Sequence, residues 1–170
     1  MAAGLALAVA LMLVACGGAP ASCRELPLTI AAATEEREAV ARVDFAPQRP
    51  CAFVSGLRVR TVTVDVLPEG AGLPRLSYIV EGPGGASFSF SRTRAELPFR
   101  AIPQGSRHVR VAAAGATAEG FVGPSGTGVE FAYLRWRRDG VTAELTGTLR
   151  GRLTLAELER IAGALLGHSP

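Results

Sequence analysis

Residues 129–150, VEFAYLRWRRDGVTAELTGTLR, decide the fold. Asp139-Gly140 stands between two runs rich in aromatic and β-branched residues, the signature of a two-residue type I′ hairpin. Such a turn fixes the register. It predicts Arg138 opposite Val141, Trp136 opposite Ala143, Leu134 opposite Leu145 and Ala132 opposite Gly147, which makes one face apolar. The other face then pairs Arg135 with Glu144, Arg137 with Thr142 and Tyr133 with Thr146. An opposed Arg–Glu pair suits a half-buried hairpin. The cluster Arg135, Arg137 and Arg138 therefore reads as a solvated strand face with Trp136 in the core. The alternative is an Arg/Trp contact to lipid head groups or a partner.

The same period of two runs back through the chain. Leu57 and Val59 alternate with Arg58 and Arg60; then the phase slips, and Val62, Val64 and Val66 alternate with Thr61, Thr63 and Asp65. A bulge near Arg60-Thr61 accounts for the slip. Pro68-Glu69-Gly70 and Gly72 mark a turn. Leu76, Tyr78 and Val80 give the next strand, closed by Gly82-Pro83-Gly84-Gly85. Phe88 and Phe90 alternate with serines, residues 108–113 form a further strand, and residues 116–122 form another.

Helices bracket this run. Residues 30–42 favour a helix, with Thr34 as a cap and Glu35 and Glu36 near its start; Pro47 and Pro50 end it. Residues 153–167, LTLAELERIAGALLG, carry a Thr154–Glu157 capping box, a Leu153–Leu158 staple and a terminal Gly167. Leu158, Ile161, Ala162 and Leu165 form one stripe for the sheet. The expected architecture is α+β: a curved, mainly antiparallel sheet of about 6–8 strands, with an N-terminal and a C-terminal helix packed on it.

Length and composition agree with one domain. The chain has 170 residues, 48% hydrophobic, 19% charged and 6% aromatic, enough to bury a core without a metal. All 18 basic residues are Arg and the net charge is +3. The arginines are scattered without a basic, aromatic-studded face, so nucleic acid is not an expected partner.

The N-terminus reads as a processing signal. Residues 1–15, MAAGLALAVALMLVA, carry no charged side chain. As a helix they would span roughly 22 Å, short of a ~30 Å hydrocarbon core, so a secretory apolar region fits better than a membrane span. Leu13-Val14-Ala15-Cys16 resembles the lipobox of bacterial lipoproteins. That resemblance implies cleavage before Cys16, acylation of its thiol, and attachment to a lipid bilayer; two or three acyl chains anchor stably. The implied organisation is a signal peptide at 1–15, a lipidated tether at 16–29 and a single extracytoplasmic domain at 30–170. The location is the cell envelope, with inner or outer membrane left open.

Two cysteines remain. In an oxidising compartment Cys23 and Cys51 read as a disulfide that ties the exit of the first helix back to the tether. Closing a loop of about 29 residues contributes roughly 3–4 kcal/mol in the chain-entropy picture. The alternative is two free thiols that never meet.

Phe45-Ala46-Pro47, Leu134-Arg135-Trp136, Asp139-Gly140, Leu145-Thr146-Gly147, and Glu157-Leu158 with Ile161-Ala162 occur in an order that resembles an uncharacterised extracytoplasmic domain. That domain is found in bacterial transmembrane anti-sigma regulators and small lipoproteins. The resemblance covers about residues 39–166. It implies a half-barrel of lipoprotein-carrier type, and fold analogy of this kind does not assign an activity.

Motifs for chemistry are sparse. Gly123-Pro124-Ser125-Gly126 begins like a nucleophile elbow, but Thr127 replaces the closing Gly. His108 sits in an Arg-rich alternating strand that points it to solvent. His108 and His168 have no metal-ligand spacing with each other or with a Cys, so neither a metal nor a cofactor is expected. Asp65, Glu81 and Glu130 could serve as an acid and a base only if the fold gathered them. The glycine clusters at 82–85 and 123–128 lack a phosphate-loop pattern. No catalytic residue is assigned. The expected function is a non-enzymatic binding, accessory or sensing lipoprotein of the envelope, with a protein partner. The alternatives are a carrier for lipid or another apolar ligand, which requires an open apolar cavity between sheet and helices, and an envelope enzyme.

Overall fold

A computed structural model describes residues 22–67, 72–125 and 128–167. The elements follow the order β1 (Arg24–Glu25), α1 (Ile30–Val40), β2 (Cys51–Ala52), β3 (Arg58–Val66), β4 (Pro74–Glu81), β5 (Ser87–Thr93), β6 (Arg107–Ala113), β7 (Ala116–Pro124), β8 (Glu130–Arg138), β9 (Val141–Thr148) and α2 (Leu155–Gly167). The fold is α+β, as the patterning predicts. Seven antiparallel strands form one sheet in the order β3-β4-β5-β9-β8-β7-β6, and β1 and β2 form a separate two-stranded ribbon.

The β8–β9 hairpin has the predicted register at every pair from Ala132–Gly147 to Arg138–Val141. Asp139 and Gly140 adopt φ of 50° and 75°, the two left-handed positions that a type I′ turn needs. The slip in β3 is a register shift between Val59 and Thr61. Pro68-Glu69-Gly70 lies outside the described residues.

One face of the sheet carries Val62, Tyr78, Phe90, Leu145 and Leu134 in a single row across β3, β4, β5, β9 and β8, all buried. Both helices pack on this face. Helix α2 covers the β6–β8 side through Leu158, Ile161, Ala162, Leu165 and Leu166, each at most 3% exposed. Gly147 makes the close approach possible: a Cβ there would lie 2.5 Å from Leu158 Cδ1. Helix α1 lies over β3, where the Glu35 carboxylate accepts from Val62 N–H at 2.7 Å.

Three local expectations change. Helix α1 is capped by Thr29, whose hydroxyl accepts from Ala32 N–H; Thr34 lies inside the helix and donates to Ile30 O. The competition went to Thr29 because its extended backbone places the side chain over the first free N–H groups. In α2 only half of the capping box forms. Thr154 Oγ1 accepts from Glu157 N–H, but the Glu157 carboxylate turns away and accepts from Phe53 and Val54 N–H at 2.9 and 3.2 Å. Two half-buried amides outside the helix need an acceptor, and the buried Glu157 meets both. Finally, the segment read as tether is part of the fold from Cys23 onward. β1 pairs with β2, and Leu28 bridges Val59, so residues 23–29 are held by backbone hydrogen bonds.

The outer face differs most from expectation. The face bearing Arg135, Arg137, Glu144 and Thr142 is only partly open to solvent: Arg137 is exposed and Arg135 half-buried, but Tyr133, Thr142 and Glu144 are all buried. Topology explains this. β5 lies mid-sheet while β6 is at the far edge, so residues 94–106 must cross the sheet. They run over the outer face, where Ala95 O accepts from Thr142 Oγ1 at 2.8 Å and Phe99 packs edge-on against Tyr133. The predicted partner of Glu144 changes with it. Arg135 is its register neighbour, but the ion pair is with Arg100 and the hydrogen bond is from Tyr133.

Candidate functional site

A cleft of about 880 Å³ opens beside α1. Ala33, Glu36, Arg37 and Val40 of the helix form one wall; Pro47, Gln48, Arg49 and the Cys23–Cys51 disulfide form another. Cys23 and Cys51 are joined, with Cα atoms 5.4 Å apart, as the cysteine count predicts. The bond sits where β1 meets β2 and closes the segment that contains α1.

The base of the cleft is a charged network. Helix α1 turns Ala32, Glu36 and Ala39 inward on one face, so Glu36 enters the core with two alanines. Its carboxylate accepts from Arg49 Nε at 2.6 Å and from Arg49 Nη2 at 2.5 Å, a bidentate pair. Arg49 Nη1 donates to Glu25 at 2.6 Å. Tyr78, on the core face of β4, donates its hydroxyl to Glu36 Oε1 at 3.1 Å. The hydrogen bonds to Glu36 and Glu25 push the Arg49 guanidinium above its ordinary range. Burial, and then the charge and hydrogen bond of Glu36, push the Tyr78 phenol well up. Both groups are fixed in one protonation state across the physiological range.

Sequence reasoning missed this network. It placed Glu36 near the helix start, gave Tyr78 only a place in a strand and gave Arg49 no role. A signal was present: Glu36 shares the Ala32/Ala39 stripe, and a carboxylate in an alanine stripe needs a cation.

The other candidate residues are not gathered. Cys16 and His168 lie outside the described residues. His108 is exposed on β6, opposite Phe121. Asp65 pairs with Arg75 and Glu81 with Arg60, at opposite ends of the β3–β4 ladder, and Glu130 opens β8. Ser125 lies in the β7–β8 turn, where its hydroxyl accepts from Val129 N–H; a nucleophile elbow would lead from strand to helix. Among the described residues, no group of three or more His, Cys, Asp or Glu is placed to hold a metal ion, and no helix is long and apolar enough to cross a membrane. The Arg cluster is split between the two faces. Trp136 is buried against Phe90, as expected, while Arg138 Nη1 donates to Leu166 O at the C-terminal end of α2. A cation there complements the helix dipole. Compared with family models, curated proteins and solved structures, the chain matches none.

Proposed function

We propose that the chain is a lipoprotein of the cell envelope, anchored through acylated Cys16, whose folded part is a non-enzymatic binding or sensing domain on the extracytoplasmic side. The observation that carries this reading is the Cys23–Cys51 disulfide, seven residues after the lipobox cysteine. A structural disulfide belongs to an oxidising compartment, the one to which the N-terminal signal would deliver the chain. The resemblance to the extracytoplasmic domain of anti-sigma regulators and small lipoproteins points the same way.

The cleft supports recognition over catalysis. Glu25, Glu36 and Arg49 hold one another in a fixed network, Arg37 stands exposed at the wall, and the raised, buried Tyr78 phenol behind Glu36 is too weak an acid to move protons near neutral pH. The cleft lining is mixed, with Leu28, Val40, Pro47 and Leu165 beside the charged groups, which suits a partner of mixed character better than an acyl chain alone. An apolar ligand seated on Glu25, Glu36, Gln48 and Arg49 would strip water from groups that keep part of their solvation. On the sheet itself, the space beneath α2 is filled by that helix's own side chains.

The test is export of wild type and Cys16→Ala, followed by fractionation and intact mass. Wild type should sit in the membrane with the added mass of acyl chains. Cys16→Ala should be soluble, two hydrogens lighter than its reduced form and free of co-purified lipid. Membrane association without acyl mass would reject the anchor; a bound lipid on the soluble variant would favour the carrier.

A further inference from the structure

Strand β5 puts Phe88, Phe90 and Arg92 in phase on the core face, so an arginine takes the third apolar position. Arg92 lies between Leu76 and Ala143 and is only 8% exposed. Its Nη1 donates to Ala46 O at 2.7 Å, and its guanidinium sits 5.6 Å from the centre of the Phe45 ring. Among the described residues no carboxylate lies within ion-pair distance of it. Burial accordingly pulls its pKa down, the sign of a cation short of compensation.

Arg92 lines a pocket of about 200 Å³ together with Asp44, Phe45, Arg94, Trp136 and Arg138. Asp44 pairs with Arg94 at 3.0 Å, and Asp139 at the rim pairs with Arg138 at 3.6 Å. Those pairs cancel and leave the charge of Arg92. Among the described residues its Nε and Nη2 make no hydrogen bond, and both keep some accessible surface on a side chain that lines the pocket. Together they are the edge of the guanidinium that receives a carboxylate through two parallel bonds.

We propose that this pocket binds one carboxylate, held by Arg92 Nε and Nη2 between the walls of Phe45 and Trp136. One uncompensated positive charge matches a monoanion; a phosphate dianion would exceed it. The volume takes the carboxylate and a few attached carbons. The ligand is thus a short organic acid or the free C-terminus of a peptide. This names a ligand chemistry for the binding-domain reading and rests on that reading. The assay runs in solution, so it is decided independently of whether Cys16 carries lipid.

Trp136 is the single tryptophan of the chain and lines the pocket, which makes its fluorescence a direct reporter. Propionate, titrated at constant ionic strength against chloride, should give a saturable change in wild type. The apparent affinity should fall at least tenfold in Arg92→Met. Propionate should raise the melting temperature of wild type and leave that of Arg92→Met unmoved. Arg92→Lys, which keeps the charge and loses the fork, serves if the Met variant does not fold, and should also bind weakly. A blocked tripeptide with a free C-terminus, compared with its amide, separates the sources: preference for the acid over both amide and propionate identifies a peptide end, and binding of propionate alone identifies a small acid. The same response to chloride and propionate, tighter binding of phosphate, or an unchanged response in both Arg92 variants would overturn the proposal.

Discussion

The two faces of the sheet each bury a tyrosine that donates its hydroxyl to a buried glutamate held by an arginine. On the core face the trio is Tyr78, Glu36 and Arg49; on the outer face it is Tyr133, Glu144 and Arg100. The chemistry is shared and the construction is not. Glu36 comes from a helix and receives a bidentate arginine at 2.5–2.6 Å, itself bridged to Glu25. Glu144 comes from the strand beside Tyr133 and takes a 2.5 Å hydrogen bond from it, but its arginine reaches only one oxygen, at 3.4 Å, from a half-exposed loop. The first trio therefore joins three distant segments, while the second fastens a crossing loop onto strands already paired. Where a charge network ties elements together it contributes to the fold; where it covers a finished sheet its value lies mainly in satisfying the glutamate.

This contrast can be broken in order of size. Glu36→Ala should cost the most, about 3 kcal/mol by denaturant unfolding, the low end for a broken buried pair because Arg49 keeps some solvent. A loss under about 1 kcal/mol would mean that the helix is held by its alanines alone. The two Tyr→Phe changes sharpen the comparison. Tyr133→Phe removes the one close side-chain donor to Glu144 among the described residues and should cost about 2 kcal/mol, whereas Tyr78→Phe leaves Glu36 with both arginine bonds and should cost about 1. The reverse order would show that Arg100 grips more tightly than its geometry indicates.

The smallest effect at neutral pH, and the clearest at high pH, is ionisation. Tyr78 and Tyr133 are the only tyrosines in the chain. Burial and the adjacent glutamate raise both phenols above the ordinary value. A raised phenol contributes stability that is fully present below about pH 10 and is lost as pH climbs through the folded-state value. The slope is about 1.4 kcal/mol per pH unit for each tyrosine. Tyrosinate absorbance should stay absent where free tyrosine ionises and then rise in one step with unfolding. Ionisation of half the signal in the folded protein would single out one face as open to solvent.

What the sequence disclosed divides along the same line. The β8–β9 register, the slip at Val59/Thr61 and the α2 stripe follow from neighbours a few residues apart, and all three are found. The solvated reading of the Arg135/Glu144 face holds for Arg137 and fails for Tyr133, Thr142 and Glu144, because the cover comes from residues 94–106. Their path is set by β9 inserting between β5 and β8, a pairing no local pattern encodes. Leu97, Phe99 and Ile102 were the available hint, apolar residues in a stretch without strand or helix period. Glu36 and Arg92 were legible in principle, each a charge in phase with an apolar stripe. Their partners lie 13 and 46 residues away, and only the fold identifies them.

The Cys23–Cys51 bond has a mechanical consequence. Tension applied to the chain ahead of Ser22 would reach Cys23 and pass through the sulfur bridge to Cys51, entering the molecule at β2. Residues 24–50, with α1 and the Glu36–Arg49 pair among them, lie in a closed loop off that load path. A domain pulled from its N-terminus would thus bear force on the segment that leads into β3, and the helix beside the cleft would keep its shape under a pull that would otherwise peel it away first.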